Sequence, residues 1–420
     1  MVAMVAVASP QYAWTLFTLP LAKGLNAKLS DIQIGFTLFV LTQSWLVPLL
    51  GYLADRLGSK IVMAGGGFLV GTSWVGSGMT ASLSALYFWY SLAGVGVGAV
   101  YGVCVGTTIK WFPDIRGLAA GLVVGAYGAG AMLTVVPIQR AIAQSGYAVA
   151  FVTWGLIQGL VLLALVWFVA DPPPRWRPAD WGRARESRAG VAVRQSAASF
   201  TPGQMLRTRV FYVMFAMSAL VIFGGLVVTA QLKPIAAAYG LDTGIVAFGM
   251  NAVALALMVN LVASGLARPS WGFLSDRIGR YRTMALAFGL GAAGIAGLIT
   301  WGDRAVGFVL FSSLSVLAWG ATFVLFAAAT GDVFGPRFAT TNNGILYASK
   351  GVASIFAGWG AARLLEATGS WFPVLWAACI CNLLAAILAF FLKPMIARIT
   401  ARPDAGAPSP AAGFPLTGSR

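Results

Sequence analysis

Long apolar runs separated by short polar segments recur along the whole chain. As a helix, each run is long enough to cross the hydrocarbon core of a bilayer, which needs about 20 residues. The twelve runs, called the first to the twelfth span, cover residues 1–22, 32–54, 61–79, 83–109, 116–144, 147–170, 208–237, 243–275, 281–301, 304–334, 338–366 and 370–393. The pattern predicts an all-α polytopic membrane protein with twelve transmembrane helices.

The composition agrees with a membrane protein and excludes a soluble one. Of the 420 residues, 59% are hydrophobic and 10% are charged, and the mean hydropathy is +0.82; soluble domains carry roughly 25% charged residues. The net charge of +16 suggests nucleic-acid binding, but most of the basic residues stand in alternate loops, as the positive-inside rule requires. We therefore expect a lipid bilayer, and no nucleic acid, as a partner.

Residues 171–207 divide the predicted spans into two sets of six. The chain is thus predicted to have an N-terminal six-helix bundle at 1–170, a basic cytoplasmic linker at 171–207 and a C-terminal six-helix bundle at 208–393. Residues 394–420 are rich in Pro, Ala and Gly and are expected to form a disordered tail. An even number of spans places both termini in the cytoplasm. The linker belongs on that face because it carries Arg175, Arg177, Arg183, Arg185, Arg188, Arg194 and Arg207.

A repeated motif gives the two sets of six the same orientation. The segment Gly51-Tyr-Leu-Ala-Asp-Arg-Leu-Gly58, at the cytoplasmic end of the second span, matches Gly272-Phe-Leu-Ser-Asp-Arg-Ile-Gly279 at the end of the eighth. Duplication at corresponding positions is the parallel repeat of major facilitator transporters, and the motif resembles the loop signature of that superfamily. Its charged residues are predicted to be gating elements and not substrate ligands; they are Asp55, Arg56, Asp276 and Arg277.

Two strong bases stand near the middle of predicted spans, Arg268 in the eighth and Lys350 in the eleventh. Arg268 precedes Asp276 by eight residues, and Lys350 follows Phe338 by twelve. At about 1.5 Å per residue, the two bases lie roughly 12 Å and 18 Å from the cytoplasmic edge. A charge near the bilayer centre costs several kcal/mol, and neither side chain reaches the interface comfortably from this depth. We therefore predict a functional role for both.

No acidic residue is placed to neutralise these two bases. Every carboxylate lies at a helix end, in a loop or in the tail, and the chain has no histidine; the acidic residues are Asp31, Asp55, Asp114, Asp171, Asp180, Glu186, Asp242, Asp276, Asp303, Asp332, Glu366 and Asp404. Two buried cations without a counter-ion favour an anion supplied from outside, although a structural role with bonds to backbone carbonyls stays open. The lack of a buried titratable acid also favours anion exchange over proton symport.

The two bases differ in the groups that they bind best. The guanidinium of Arg268 offers parallel donors in a fixed fork, which match a planar carboxylate. The ammonium of Lys350 is a point charge on a flexible stem and can follow a second carboxylate. The pair therefore predicts a small dianion as substrate in preference to a monoanion.

An internal alignment places aromatic residues opposite these bases. Residues 116–128 align with 339–351, so that Tyr127 faces Lys350 across the pseudo-two-fold axis, where transporters built from such repeats bind substrate. Interface anchoring or packing is the alternative for any one aromatic side chain. The aromatic residues expected to close a cavity are Tyr12, Tyr101, Tyr127, Trp319 and Phe323.

Neither a cofactor nor a metal is expected. Cys104, Cys379 and Cys381 all lie within apolar spans, and the last two point to different faces of one helix. Packing is therefore the better interpretation of these cysteines than metal binding or a disulfide. A catalytic constellation and an appended domain are both lacking, which argues against a membrane-embedded enzyme or a receptor.

Five stretches of the sequence carry a family signature. They are Pro10-Gln-Tyr-Ala-Trp-Thr-Leu16, Trp111-Phe-Pro-Asp-Ile-Arg-Gly-Leu-Ala119, Ala126-Tyr-Gly128, Arg268-Pro-Ser-Trp-Gly-Phe-Leu-Ser-Asp-Arg-Ile-Gly-Arg-Tyr281 and Ala348-Ser-Lys-Gly-Val-Ala-Ser-Ile-Phe356. With them, nearly the whole chain resembles the bacterial oxalate:formate antiporter branch of the major facilitator superfamily. The resemblance implies a monomeric transporter in the bacterial inner membrane that exchanges small mono- or dicarboxylates by alternating access.

The resemblance also implies a set of site residues. Arg268 and Lys350 correspond to the paired oxalate-binding bases. The antiporter branch has a tyrosine at the position of Phe323, so one hydroxyl donor is missing here, which keeps small carboxylates other than oxalate open. The residues implied to line the pocket are Gln11, Tyr12, Tyr101, Tyr127 and Trp319.

Proton-coupled carriers of monocarboxylates such as lactate and pyruvate are the alternative. Many of them are alike in carrying an acidic residue one turn before the arginine of the eighth helix. That position is Ser264 here, which counts against proton symport without excluding it.

Overall fold

The chain is helical along the predicted spans. The structure, a computed structural model, describes residues 1–112, 116–173, 200–242, 244–335 and 338–400. A backbone in lipid must satisfy its hydrogen bonds within its own segment, which is why apolar runs of this length form helices. Most of the predicted linker and the end of the predicted tail lie outside the described residues.

The helices of the first half follow the first six predicted spans. In chain order they are Val2–Ala6, Ser9–Tyr12, Trp14–Gly24, Leu29–Trp45, Val47–Leu57, Ser59–Gly78, Leu83–Trp111, Arg116–Gly130 and Met132–Leu165, followed by the 3-10 turn Val166–Phe168. The second span is bent by 46° at Leu46. Gly146 interrupts the last long helix with a φ of 81°, which is the predicted boundary between the fifth and sixth spans.

The helices of the second half follow the remaining six spans. They are Pro202–Leu206, Arg209–Ala230, Leu232–Ala238, Ala252–Ile278, Arg280–Trp301, Ala305–Phe334, Ala339–Tyr347, Ser349–Ile355, the π-helical turn Phe356–Gly360, Ala361–Thr368 and Phe372–Thr400. The eleventh span is thus divided into several pieces, and one of its breaks lies at Ala348, two residues before Lys350.

The predicted polytopic helical class is confirmed, while the number of spans is only partly supported. Within the described residues, nine helices are long and apolar enough to cross a membrane, or ten if the bent second span counts as one. One of the nine, Gly121–Phe168, includes parts of both the fifth and the sixth predicted spans. The eleventh span adds no helix to the count because its pieces are short. The total of twelve therefore stays a prediction.

The predicted start of the eighth span is wrong. The sequence predicts a span from residue 243, but the helix begins at Ala252. Asn251 caps it, since its Oδ1 accepts a backbone N–H of the first turn at 2.9 Å, a bond that fixes a helix start. Gly244 and Gly249 precede this cap with φ values of 84° and 71°, a backbone that favours turns over a helix.

The predicted linker and tail are also partly ordered. The linker ends in the short helix Pro202–Leu206, which Thr201 and Gln204 begin with a reciprocal capping box. The final helix continues to Thr400, so residues 394–400, predicted as disordered tail, are helical. Residues 401–420 and 174–199 of these two predicted segments lie outside the described part of the chain.

The two copies of the repeated motif end their helices in the same way. Gly58 and Gly279 follow the helices with φ values of 90° and 92°, which glycine adopts without a steric penalty. Their backbone N–H groups donate to the carbonyls of Ala54 and Ser275 at 3.0 Å and 3.1 Å. The final glycine of the motif is therefore a helix stop at equivalent places in the two halves.

Helices pack mainly within their own half of the chain, and two of the helix pairs that join the halves carry the buried bases. Leu29–Trp45 contacts Ser349–Ile355, and Arg116–Gly130 contacts Ala252–Ile278. The second pair is the repeat-related equivalent of the first. Lys350 and Arg268 lie on one member of each pair, so both bases are placed between the halves.

Candidate functional site

Lys350 is buried in contact with side chains of the first half. It stands at the start of the helix Ser349–Ile355 and is 1% exposed. Its Nζ donates to Oε1 of Gln11 at 3.0 Å and to Oε1 of Gln43 at 2.9 Å, and lies 3.4 Å from the hydroxyl of Tyr347. An ammonium has three donors and no acceptor, so these three neutral oxygens meet its full donor capacity.

Tyr127 closes a ring of hydrogen bonds around the ammonium. Its hydroxyl donates to Oε1 of Gln11 at 2.9 Å and accepts from Nε2 of Gln43 at 2.9 Å. Because the ammonium of Lys350 can only donate, it requires the amide oxygen of Gln43, which turns the amide nitrogen toward Tyr127. Three helices of the first half thereby hold one lysine of the second half.

Arg268 is buried but less completely bonded. It is 4% exposed, in the middle of Ala252–Ile278. Its Nη1 donates to the carbonyl of Ser264 at 3.1 Å, one turn earlier in the same helix, and its Cζ lies 5.5 Å from the ring centroid of Phe323. Within the described residues, neither Nε of Arg268 nor Oγ of Ser264 has a hydrogen-bond partner. Unpaired buried donors are costly, and donors of a guanidinium are well matched to a planar anion.

A glycine stands at a close contact in each of these two helix pairs. A Cβ on Gly128 would meet Nη1 of Arg268 and would come within 2.8 Å of Oγ of Ser264. A Cβ on Gly351, the residue after Lys350, would meet the indole of Trp45 on the second span. The internal alignment pairs these two glycines, so the same absence of a side chain serves both helix pairs.

Aromatic side chains connect the surroundings of the two bases. The ring of Tyr127 lies 5.7 Å from that of Tyr12 and 5.6 Å from that of Tyr101. On the other side, the rings of Trp319 and Phe323 lie 5.4 Å apart. The predicted site residues thus form two groups, one around Lys350 with Gln11 and Tyr127 and one around Arg268 with Phe323. Tyr347, which was not predicted, connects the groups, since its ring lies 6.0 Å from that of Phe323 and its hydroxyl lies 3.4 Å from Nζ of Lys350.

Two carboxylates of the described side chains form ion pairs away from the two bases. Arg280 contacts Asp332 at 3.2 Å, and Arg363 contacts Glu366 at 3.2 Å. Among the side chains that the structure describes, none of the ion pairs involves Arg268 or Lys350. The two bases therefore lie between the halves with neutral polar and aromatic neighbours.

Comparison with known proteins identifies the family. The sequence profile of the Major Facilitator Superfamily matches residues 1–259 and 246–417, which together cover almost all of the chain. The chain belongs to the major facilitator superfamily. Among solved structures, the xylose transporter of E. coli in an inward-open conformation has a TM-score of 0.69 at 16% identity, with 93% of this chain and 94% of that chain covered. At this identity the likeness supports the fold alone.

Relatives with higher identity include transporters of small anions. The oxalate:formate antiporter of Oxalobacter formigenes is 33% identical over 398 residues, which cover 94% of this chain and 90% of that protein. Monocarboxylate transporter 11 of Homo sapiens is 27% identical over 357 residues, with 83% of this chain and 68% of that protein covered. The predicted resemblance to the oxalate:formate antiporter branch is confirmed.

The candidate site of this major facilitator protein contains residues that the sequence did not single out. Gln43 and Tyr347 both contact Lys350, and Gly128 borders Arg268. Tyr347 stands three residues before Lys350, a spacing that places both on one helix face, so a signal for it is present in the sequence. Gln43 carries a weaker signal, as a polar side chain inside an apolar span.

A second set of buried amides joins the halves on the side away from the repeated motif. Gln33, near the start of the second span, accepts from the indole of Trp14 at 3.0 Å and donates to Oε1 of Gln231 at 2.8 Å. Gln231 in turn donates to the carbonyls of Ala357 and Gly358 at 3.1 Å and 3.0 Å. The halves are therefore bonded to each other beyond the site on this side.

The predicted gating residues show parallel surroundings where they are described. The guanidinium of Arg56 lies 4.8 Å from the ring centroid of Tyr52, and that of Arg277 lies 4.2 Å from the ring centroid of Phe273. Both arginines thus stack on an aromatic residue one turn earlier in their helix. The side chains of the other two predicted gating residues, Asp55 and Asp276, lie outside the described part of the structure, so the gating role stays a prediction.

Proposed function

We propose that this protein is a secondary transporter that exchanges small carboxylates, of the oxalate:formate type, across the bacterial inner membrane by alternating access. One observation carries the proposal: Arg268 and Lys350 are buried between the halves and have only neutral neighbours among the described residues. The proposed topology has both termini in the cytoplasm.

The charge of the site favours an anionic substrate. Two buried cations repel each other, and each loses hydration that neutral dipoles replace only in part. A carboxylate on the free donors of Arg268 supplies the missing hydrogen bonds and the opposite charge together. A second carboxylate of the same molecule replaces Gln11 and Gln43 as the hydrogen-bond acceptor of the Lys350 ammonium. A small dicarboxylate such as oxalate thereby satisfies both bases.

The position of the site supports alternating access. The bases belong to the second half, whereas Gln11, Gln43 and Tyr127 belong to the first half. An anion between them contacts both halves, so its binding free energy depends on how the halves are arranged. A ligand shifts such an equilibrium only through its different affinity for the two arrangements, and a site between repeats meets that condition.

The same charges explain why exchange is favoured over net transport. Reorientation without an anion would move two buried cations with no carboxylate partner among the described side chains, whereas a bound dianion compensates them. The relative from Oxalobacter formigenes is named as an antiporter, and this agrees with obligatory exchange. We therefore propose that the loaded protein reorients much faster than the empty protein.

Proton-coupled transport of monocarboxylates is the second candidate. It is favoured by the similarity to human monocarboxylate transporter 11 and by Phe323, which lacks the hydroxyl of the antiporter branch. Against it stands Ser264, where many proton-coupled carriers have an acidic residue beside the arginine. Ser264 is buried next to Arg268 and provides no group that gains or loses a proton during transport.

Transport by the purified protein in liposomes tests the proposal. Vesicles preloaded with oxalate or formate should take up labelled oxalate far faster than empty vesicles, and a collapsed pH gradient should change the rate little. Labelled lactate, with and without an inward proton gradient, serves as the comparison. Accumulation in empty vesicles that requires the proton gradient would favour the monocarboxylate symporter instead.

A further inference from the structure

A hydroxyl of the eleventh span lies beside the position where a hydroxyl is missing. The ring of Tyr347 is 6.0 Å from the ring of Phe323, which in turn lies under the guanidinium of Arg268. The hydroxyl of Tyr347 is 3.4 Å from Nζ of Lys350. Tyr347 thus extends from the surroundings of one base to the other base.

The proton of this hydroxyl is free to bind an anion. The ammonium of Lys350 can only donate, so toward it the hydroxyl of Tyr347 acts as an acceptor. In the described ranges of the chain, no acceptor receives the hydroxyl proton itself. The hydroxyl of Tyr127 differs, because it donates to Gln11 as well as accepting from Gln43. A carboxylate that bonds Lys350 brings its oxygen next to the free proton of Tyr347.

We propose that Tyr347 donates a hydrogen bond to the bound carboxylate and determines specificity, in place of the hydroxyl that is absent at Phe323. This inference rests on the proposed transport of carboxylates. The hydroxyl of Tyr347 lies 3.4 Å from Nζ of Lys350, so the carboxylate held by the lysine gains the donor. A hydroxyl on Tyr347, with none on Phe323, therefore favours substrates whose second oxyanion reaches Lys350.

Moving the hydroxyl between the two rings tests the inference. Binding of oxalate, formate and lactate is measured by calorimetry on the purified full chain and on three variants: Tyr347→Phe, Phe323→Tyr and the double variant. A hydrogen bond to a charged group predicts that Tyr347→Phe weakens oxalate binding by about tenfold or more. The double variant should regain most of this loss, since it carries the hydroxyl at the other position.

A matched control separates this role from stability. Tyr239→Phe removes a hydroxyl that donates to the carbonyl of Leu298, outside the site, and should leave binding unchanged. Unchanged oxalate binding in Tyr347→Phe, or a loss that the double variant fails to recover while all variants melt normally, would overturn the inference. Failure of the wild-type chain to bind any of the three carboxylates would overturn the proposed function and the inference together.

Discussion

The two buried bases of the candidate site differ in how fully their hydrogen-bond donors are paired. Lys350 gives its ammonium protons to two amide oxygens of the first half and lies close to a tyrosine hydroxyl. Among the described residues, Arg268 makes one hydrogen bond, to a carbonyl of its own helix, and its Nε has no partner. Both side chains are similarly buried, so exposure to solvent does not explain the difference.

The shape of each cation explains it. An ammonium is compact, and amide and hydroxyl dipoles from three directions can surround it. A guanidinium has five donors in a plane, and the carbonyls of a helix are already bonded along the helix axis, so its own helix offers few acceptors. In the proposed site, Arg268 would therefore bind an anion with its free donor, whereas Lys350 would first exchange its bonds to Gln11 and Gln43. We infer that Arg268 controls whether an anion binds and that Lys350 controls which valence is preferred.

Replacing the guanidinium of Arg268 should have the largest effect on substrate binding. Arg268→Lys keeps the charge but loses the planar donors, and we expect binding of oxalate and formate alike to fall by roughly a hundredfold or more. Both substrates lose the same carboxylate partner, so the ratio of their affinities should change little. Calorimetry on the purified variant measures both. Near-normal binding in the lysine variant would show that Arg268 has a structural role.

Removing the charge of Lys350 should weaken the binding of dicarboxylates much more than that of monocarboxylates. Lys350→Gln leaves the carboxylate of a monoanion on Arg268 but removes the partner of a second carboxylate. An ion pair in a partly dry cavity contributes several kcal/mol, and each ~1.4 kcal/mol is a factor of about ten in affinity. Oxalate binding should therefore fall by roughly two orders of magnitude, while formate and lactate should change little.

The comparison of valences within one protein provides its own control for Lys350→Gln. A folding defect would weaken binding of dicarboxylates and monocarboxylates alike and would appear as a lower melting temperature. Equal losses for both valences, in a variant that melts normally, would contradict the assignment of one carboxylate to each base.

Sequence alone could predict which charged residues lie in the candidate site, but not which hydrogen bonds they make. Arg268 and Lys350 are evident because a base inside an apolar run is rare, and the helical class follows from the length of the runs. The bonds of Gln43 and Tyr127 depend on which faces of three helices meet, and a repeat alignment places only Tyr127 opposite Lys350. The eighth span begins later than predicted because glycines and the Asn251 cap decide its start, although the apolar run extends further.

A substitution at Gly128, which contacts Arg268, should cause the smallest change in affinity and should act through Arg268 alone. A methyl group on Gly128 would meet the guanidinium and the hydroxyl of Ser264, so the planar donors must turn away from their present position. We expect Gly128→Ala to weaken binding of monocarboxylates and dicarboxylates by the same factor, roughly tenfold or less, because both use Arg268. Gly125→Ala is the matched control, since its added Cβ would meet only the carbonyl of Gly265, at 3.6 Å. If Gly128→Ala weakened the binding of dicarboxylates alone, Arg268 would also discriminate between substrates of different valence. The proposed division of roles between the two bases would then be wrong.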